Sequence, residues 1–133
     1  MEKFTLSYSF EKSDATGRYV RGWATVCSVD GQPVEDWQGD VVSIPDITKA
    51  AHEFVKNCRV GKAMHKGAQV ADLIESVIVD DDFVKAMDAN TDKRGWWVGF
   101  EVNDPEVRKR VASGELKMFS IGGTGTREAI ADA

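Results

Sequence analysis

The sequence predicts an α+β domain, mainly a small antiparallel β-barrel of about six or seven strands surrounded by short helices. Three observations lead to this fold class. Strand-like segments recur along the chain, only short amphipathic segments interrupt them, and the regular βαβ repetition of a parallel sheet is absent. With 133 residues, 42% of them hydrophobic and 29% charged, the chain suits one globular domain with a single core.

The first half of the chain is predicted to form two strands and a helix. Residues 4–10 alternate apolar or aromatic residues with small polar ones, and residues 17–26 form a second strand after a turn. Residues 28–40 contain Asp-Gly, Pro and Gly-Asp steps, which are typical of a loop. Apolar residues recur at helical spacing over residues 44–58, and Asp46 is predicted to cap this helix.

The middle of the chain is predicted to alternate strands with a short helix. Residues 71–80 are rich in β-branched and apolar side chains, which indicates a strand. A short helix over 81–90 follows, with the Asp80–Asp82 run at its start. Residues 94–102 predict a strong strand, whose alternation divides its side chains between two faces. One face carries Trp97, Gly99 and Glu101, and the other carries Trp96, Val98, Phe100 and Val102.

A helix and a strand complete the predicted domain. Residues 103–115 have the marks of a compact helix, with Asp104 as its cap, Pro105 in first position and Gly114 as its stop. The last strand covers residues 116–123. We therefore predict one domain over residues 1–123, followed by a flexible C-terminal tail over residues 124–133.

Composition and charge exclude several classes of function. The formal net charge of −5, from 17 basic and 22 acidic residues, argues against nonspecific nucleic-acid binding. The sequence has neither an apolar run long enough for a membrane span nor a signal-peptide pattern. Cys27 and Cys58 lack metal-site spacing and are expected to be reduced thiols. His52 and His65 belong to no ligand cluster, so no metal or other cofactor is expected.

The stretch MFSIGG, residues 118–123, contains the candidate nucleophile. Ser120 lies between apolar residues and a pair of glycines, a pattern that fits either a turn or a serine nucleophile. Such a serine needs a base. His52 falls within the amphipathic helix, whereas His65 lies in a loop before a glycine, from which a side chain can reach a cleft. Gly122 and Gly123 serve either chain reversal or an oxyanion hole built from backbone amides.

The third member of a catalytic triad is less clearly marked. Glu75 is a carboxylate inside an apolar run, although the same pattern fits the outward face of a half-exposed strand. Asp72 and Asp80 are alternatives, and Asp80 also suits a helix cap.

Trp96 and Trp97 fit core packing or the lining of an extended substrate groove. The GGTGTR stretch lacks the Lys-Ser or Lys-Thr of a phosphate-binding loop.

The ordered set of motifs resembles one family. GWATV, a QGD loop, an HKG histidine, an LIES glutamate, the strand RGWWVGFEV and a final SGELKMFSIGG follow one another between about Gly22 and Gly123. This set resembles the XkdF-type phage prohead proteases, which are similar to the herpesvirus assemblin and phage capsid-maturation serine proteases. The resemblance implies an assemblin-like β-barrel surrounded by short helices, and an endopeptidase without cofactors.

The resemblance also implies roles for particular residues. It makes Ser120 the nucleophile, His65 the general base, Glu75 the third catalytic residue, and Gly122 and Gly123 the oxyanion and substrate-binding site. Several relatives carry the third residue after the serine, where this chain offers only Glu128 and Asp132 as acids.

The same resemblance implies substrates and a location. Scaffold and major capsid proteins would be cleaved, together with the protease itself, inside the assembling procapsid in the host cytoplasm, or in the bacterial cytoplasm for a prophage gene. A homodimer is compatible with this role. The alternatives are a catalytically impaired capsid-assembly or scaffold-associated protein with the same fold, and a small-molecule enzyme of the barrel class.

Overall fold

A computed structural model describes most of the chain. It describes the backbone of residues 2–9, 11–35, 40–58, 60–62 and 69–125, and the side chains of residues 11–35, 40–58 and 70–117. Within these ranges the strands are β1 (Glu2–Ser9), β2 (Lys12–Ser13), β3 (Tyr19–Val29), β4 (Gln32–Pro33), β5 (Val60–Lys62), β6 (Gln69–Val79), β7 (Lys93–Val102) and β8 (Met118–Gly125). The helices are α1 (Ile44–Asn57), α2 (Asp81–Met87) and α3 (Pro105–Ala112).

These strands form one antiparallel sheet in the order β1-β8-β5-β6-β7-β3-β2, with β4 paired to β3. The predicted α+β class and antiparallel arrangement are confirmed, but the predicted barrel is wrong. Among the described strands, β1 and β2 stand at opposite ends of the order and no ladder joins them. Closure would require every edge to be paired, and β2 offers a ladder of only two residues.

Strand β7 is an inner strand of the sheet, because it pairs with β3 along one edge and with β6 along the other. Its two faces divide as the alternation predicts. Trp96, Val98, Phe100 and Val102 are all 0–1% exposed and form the middle of the core. Trp97 and Glu101 lie on the other face, which we call the outward face of the sheet.

Helix α1 covers the core face of the sheet. Its buried residues are Ile47, Ala51 and Phe54, and the Phe54 ring meets Trp96 edge to face at 5.7 Å between centroids. The helix begins one turn earlier than its predicted cap: the N-cap is Ser43, whose Oγ accepts a hydrogen bond from the Asp46 amide at 3.2 Å. Asp46 instead occupies the first turn, where a carboxylate favours the helix dipole.

The caps of the other two helices agree with the sequence. Asp80 caps α2 by accepting from the Phe83 amide, and Asp104 caps α3 by accepting from the two amides that follow Pro105. Gly114 follows the end of α3 with a φ of +80°, a conformation that favours glycine. Asp80 is thus a structural residue, as the alternative interpretation predicted.

Both cysteines are free thiols. Cys27 is buried in the core, and burial raises the pKa of its thiol to about 11, while Cys58 is exposed.

No helix in the described ranges is long and apolar enough to cross a membrane. Strand β8 continues to Gly125, two residues into the predicted tail. Residues 126–133 lie outside the described residues, and a flexible segment there stays a prediction.

Candidate functional site

Ser120 is the third residue of β8 and lies within the sheet. On one side it is directly opposite Ser7 of β1, and on the other it is directly opposite Lys62 of β5. We expected the serine near the end of its strand, but β8 runs on for five further residues. The backbone at Ser120 is therefore fixed by two neighbouring strands.

The register also relates Ser120, through β5, to strand β6. Gly61 of β5 is opposite Ala71, which is fully buried in the core, and Lys62 is opposite Gln69. Gln69 and Ala71 are two residues apart, so the register shift between Gly61 and Lys62 interrupts the alternation along β5. The pairings fix the backbone of Ser120 between β1 and β5.

His65 lies outside the described residues, in the connection from β5 to β6. It follows Lys62 by three residues in the sequence, and its proximity to Ser120 stays a prediction. His52, by contrast, belongs to α1.

Glu75 is held by an arginine far from Ser120 along the sheet. Arg21 of β3 donates from Nε to Oε1 at 2.6 Å and from Nη2 to Oε2 at 3.0 Å, forming a two-pronged ion pair. The pair crosses β7 above Gly99, where a Cβ atom added to the glycine would come within 2.6 Å of the carboxylate. Gln69, opposite Lys62, precedes Glu75 by six residues, or about 20 Å of strand. The structure does not bring Glu75 together with Ser120.

Asp72 is closer in register to the serine. It lies on the outward face, opposite Val60 of β5 and Glu101 of β7, and three residues from Gln69, or about 10 Å of strand. Its Oδ2 accepts a hydrogen bond from Asn103 Nδ2 at 2.8 Å. Glu128 and Asp132 lie outside the described residues.

The two glycines after the serine are strand residues and not part of a turn. Gly122 is opposite Thr5 and Gly123 is opposite Phe4 in the ladder between β8 and β1. The amides of successive strand residues point to opposite edges of the strand. One of the two glycine amides therefore faces β1, and only the other is available on the edge of β5.

Trp96 and Trp97 lie on opposite faces of β7. Trp96 belongs to the core, whereas Trp97 lies on the outward face and meets Trp23 edge to face at 5.3 Å. A cavity of about 900 Å³ opens elsewhere, beside the start of α2, and five of its eleven lining residues are aspartates, among them Asp30, Asp81 and Asp92. In the described part of the chain, His, Cys, Asp and Glu side chains form no group suited to a metal ion.

An antiparallel α+β sheet is compatible with many activities, and comparison with known proteins identifies the family. The profile of the family described as "Putative phage serine protease XkdF" matches residues 9–129. The chain therefore belongs to this family, as the resemblance predicted.

A curated relative and the solved structures add less detail. The chain is similar to "Uncharacterized protein YqbD" of Bacillus subtilis (strain 168), with 33% identity over 90 residues, or 67% of this chain. The matched segment spans 27% of that relative's length. No solved structure matches the chain, so kinship with the herpesvirus assemblin proteases stays a prediction.

Proposed function

We propose that the protein is a serine endopeptidase of phage capsid maturation, which cleaves scaffold and capsid-associated protein, and itself, through an acyl-enzyme. Membership of a phage serine protease family supports the reaction class. The observation that carries the assignment of residues is the pairing of Lys62 with Ser120. It joins the strand of the serine to the segment that contains His65, although 55 residues separate the two in sequence.

The proposed chemistry requires only side chains of this chain and water. Ser120 Oγ attacks the carbonyl carbon of the scissile bond while His65 accepts the hydroxyl proton. The tetrahedral intermediate collapses, the C–N bond breaks, and His65 returns the proton to the leaving amine. Water then hydrolyses the ester bond to Ser120 by the same proton transfers in reverse, which releases the acid product and restores the serine.

We assign the role of orienting His65 to Asp72 in place of Glu75. Both carboxylates lie on the outward face of β6, and Asp72 is nearer than Glu75, by three residues, to the point where β6 meets Lys62, the partner of Ser120. Arg21 already engages both oxygens of Glu75. An acid that orients a catalytic histidine must accept from the ring nitrogen that faces away from the serine.

Two isosteric substitutions on the same strand test this assignment. We expect Glu75→Gln to keep peptidase turnover within about 3-fold of wild type, because it disrupts only an exposed ion pair. Asp72→Asn is expected to lower kcat by roughly 100-fold or more, because an amide cannot stabilise the imidazolium. The pair is compared by steady-state kinetics after circular dichroism has verified folding. A large loss in Glu75→Gln with no loss in Asp72→Asn would restore Glu75 as the third residue.

Cleavage of capsid proteins tests the function as a whole. The purified chain is incubated with the scaffold and major capsid proteins of the same phage, and the products are identified by intact mass. Discrete fragments that are lost in His65→Ala support the endopeptidase. Binding of these proteins without any fragment would favour the alternative, a capsid-associated protein that keeps the fold but lacks turnover.

The glycine pair gives a further test, because its two members lie on different faces of β8. Gly122 lies two residues from Ser120, on the same face of the strand, whereas Gly123, opposite Phe4, lies on the other face. Gly122→Val is expected to keep the fold, since valine suits strands, and to lower turnover by roughly 100-fold by obstructing the substrate.

Gly123→Val serves as the comparison and is expected to change stability more than turnover. Thermal unfolding and kcat/KM are measured on both variants. If Gly122→Val turns over substrate at the wild-type rate, Gly122 has no part in the substrate site.

A further inference from the structure

We propose that the outward face of β3, β7 and β6 is a self-association surface, through which two copies of the chain pack face to face as a symmetric dimer. This inference goes beyond the proposed function, because it depends on no catalytic residue. It follows from the order of side chains across the three strands, which places cations on one side of β7 and carboxylates on the other.

Three rows of directly opposite residues cross this face. Directly opposite residues of an antiparallel pair lie on the same side of a sheet, so the rows share the face of Trp97 and Glu101. From β3 through β7 to β6, the rows are Tyr19, Glu101 and Asp72; Arg21, Gly99 and Glu75; and Trp23, Trp97 and Val77.

The aromatic row supplies an apolar anchor for a partner. The rings of Trp23 and Trp97 meet edge to face at 5.3 Å between centroids and are only half-buried. In the next row Gly99 has no side chain, and the Arg21–Glu75 ion pair lies across it. Tryptophan and arginine are enriched in protein interfaces and often carry much of the binding energy.

The described helices leave this face open. The buried residues of α1 and α3 all belong to the core cluster, and α2 has no buried residue. None of these three helices therefore buries apolar side chains against the outward face. The half-buried tryptophans and Tyr19, which is 41% exposed, are available to a partner.

The charges identify a second copy as that partner. Arg21 lies on the β3 side and Glu75 on the β6 side, and neighbouring strands place both at the same distance from β7. A two-fold axis along β7 brings β3 of one copy over β6 of the other, row upon row. Arg21 then faces Glu75 of the partner subunit. Their side chains are 56% and 42% exposed, so each can contact a partner while it keeps its ion pair within the chain.

The same charges disfavour the other face-to-face arrangement. A two-fold axis across the strands would bring β3 over β3, and Arg21 would face Arg21 of the partner subunit, which costs binding energy. With the axis along β7, Glu101 lies closest to its own copy. Arg18 offsets that repulsion, because its Nε donates to Glu101 Oε2 at 2.8 Å.

The extent of the patch sets the expected affinity. Three rows of three residues are fewer than the roughly 20–30 residues a side of a standard interface. We therefore expect a weak dimer, with a dissociation constant of roughly 1–100 μM. Sedimentation equilibrium across this range should show the mass rising from the 14.6 kDa of the chain to twice that value.

Two charge reversals test the surface. Arg21→Glu and Glu75→Lys each place like charges opposite one another in the dimer, and each is expected to raise the dissociation constant by roughly 10-fold or more. Trp97→Ala removes the ring beside the axis and is expected to have an effect of similar size. Lys109→Glu, at an exposed lysine of α3, is the control and should dimerise like wild type. Thermal unfolding of each variant verifies that it is folded.

An equimolar mixture of Arg21→Glu and Glu75→Lys separates contacts between chains from contacts within a chain. In the mixed dimer opposite charges face each other at both positions, whereas the ion pair within each chain stays broken. We expect the mixture to dimerise with nearly the wild-type dissociation constant, as mixed dimers that native mass spectrometry identifies by their mass.

Each outcome either supports the inference or overturns it. Weak association of the single variants with recovery in the mixture supports it. Wild-type chain that stays monomeric over the whole range overturns it, and so do single variants or Trp97→Ala that dimerise like wild type. A mixture that associates as weakly as its components also overturns it, because the substitutions then act within a chain. None of these results changes the expected peptidase activity of Ser120.

Discussion

Ser120→Ala is expected to abolish cleavage of scaffold and capsid proteins, lowering turnover by roughly 10⁴-fold or more, the scale seen when a serine nucleophile is removed. The physical reason is that no other atom of the site can form the ester intermediate. The fold should be kept, because the substitution removes one hydroxyl group and leaves the backbone pairing of β8 with β1 and β5 in place. The measurement is the rate of fragment appearance by mass spectrometry.

Ser7→Ala provides a matched control for this result. Ser7 lies opposite Ser120 in the neighbouring strand and on the same face, so the two substitutions remove the same hydroxyl group from adjacent positions. Ser7→Ala should retain turnover close to that of wild type. If Ser7→Ala were inactive and Ser120→Ala active, the nucleophile would have been assigned to the wrong strand.

Trp96→Ala is expected to cause the largest loss of stability, about 3–5 kcal/mol in the free energy of unfolding. Trp96 is 1% exposed and is the largest fully buried side chain in the described part of the chain. Its ring packs edge to face against Phe54, and its Nε1 donates to Ser76 Oγ at 2.9 Å. Alanine would leave a cavity between α1 and β7 and would remove both contacts.

Trp97→Ala is the natural comparison, because it changes the same residue type one position along the strand. Trp97 lies on the outward face beside Trp23, where truncation leaves no enclosed cavity, so a smaller loss is expected. Chemical denaturation followed by far-ultraviolet circular dichroism compares the two variants. Similar losses for both would contradict the division of β7 into a core face and an outward face.

Local patterns predicted most of the elements. The alternation of buried and less buried side chains along β7 depends only on neighbouring residues, and so do the Asp104 cap and the Pro105 start of α3. Both features are found as predicted. The cap of α1 was misplaced because Ser43 and Asp46 are both good capping residues, and their spacing of three fits a capping box that begins at the serine.

Local sequence patterns do not predict which distant strands pair or in which register. The role of Glu75 was ambiguous because the register between β6 and β7 shifts between Leu73 and Glu75, which disrupts simple alternation. Its partner Arg21 is 54 residues away, and nothing local to either residue links them. The pairing of Lys62 with Ser120 likewise joins residues 58 positions apart. The prediction of a barrel was wrong for a related reason, because closure of a sheet depends on whether its two edge strands pair with each other.

The most direct test of the account is to locate the adduct formed by a fluorophosphonate probe on the native chain. After labelling, the protein is digested and the modified residue is identified by tandem mass spectrometry, with heat-denatured protein as the control. The account predicts a single adduct on Ser120, formed by the folded protein and absent from the denatured control. An adduct on another serine, or equal labelling of native and denatured protein, would contradict the assignment of Ser120 as the nucleophile.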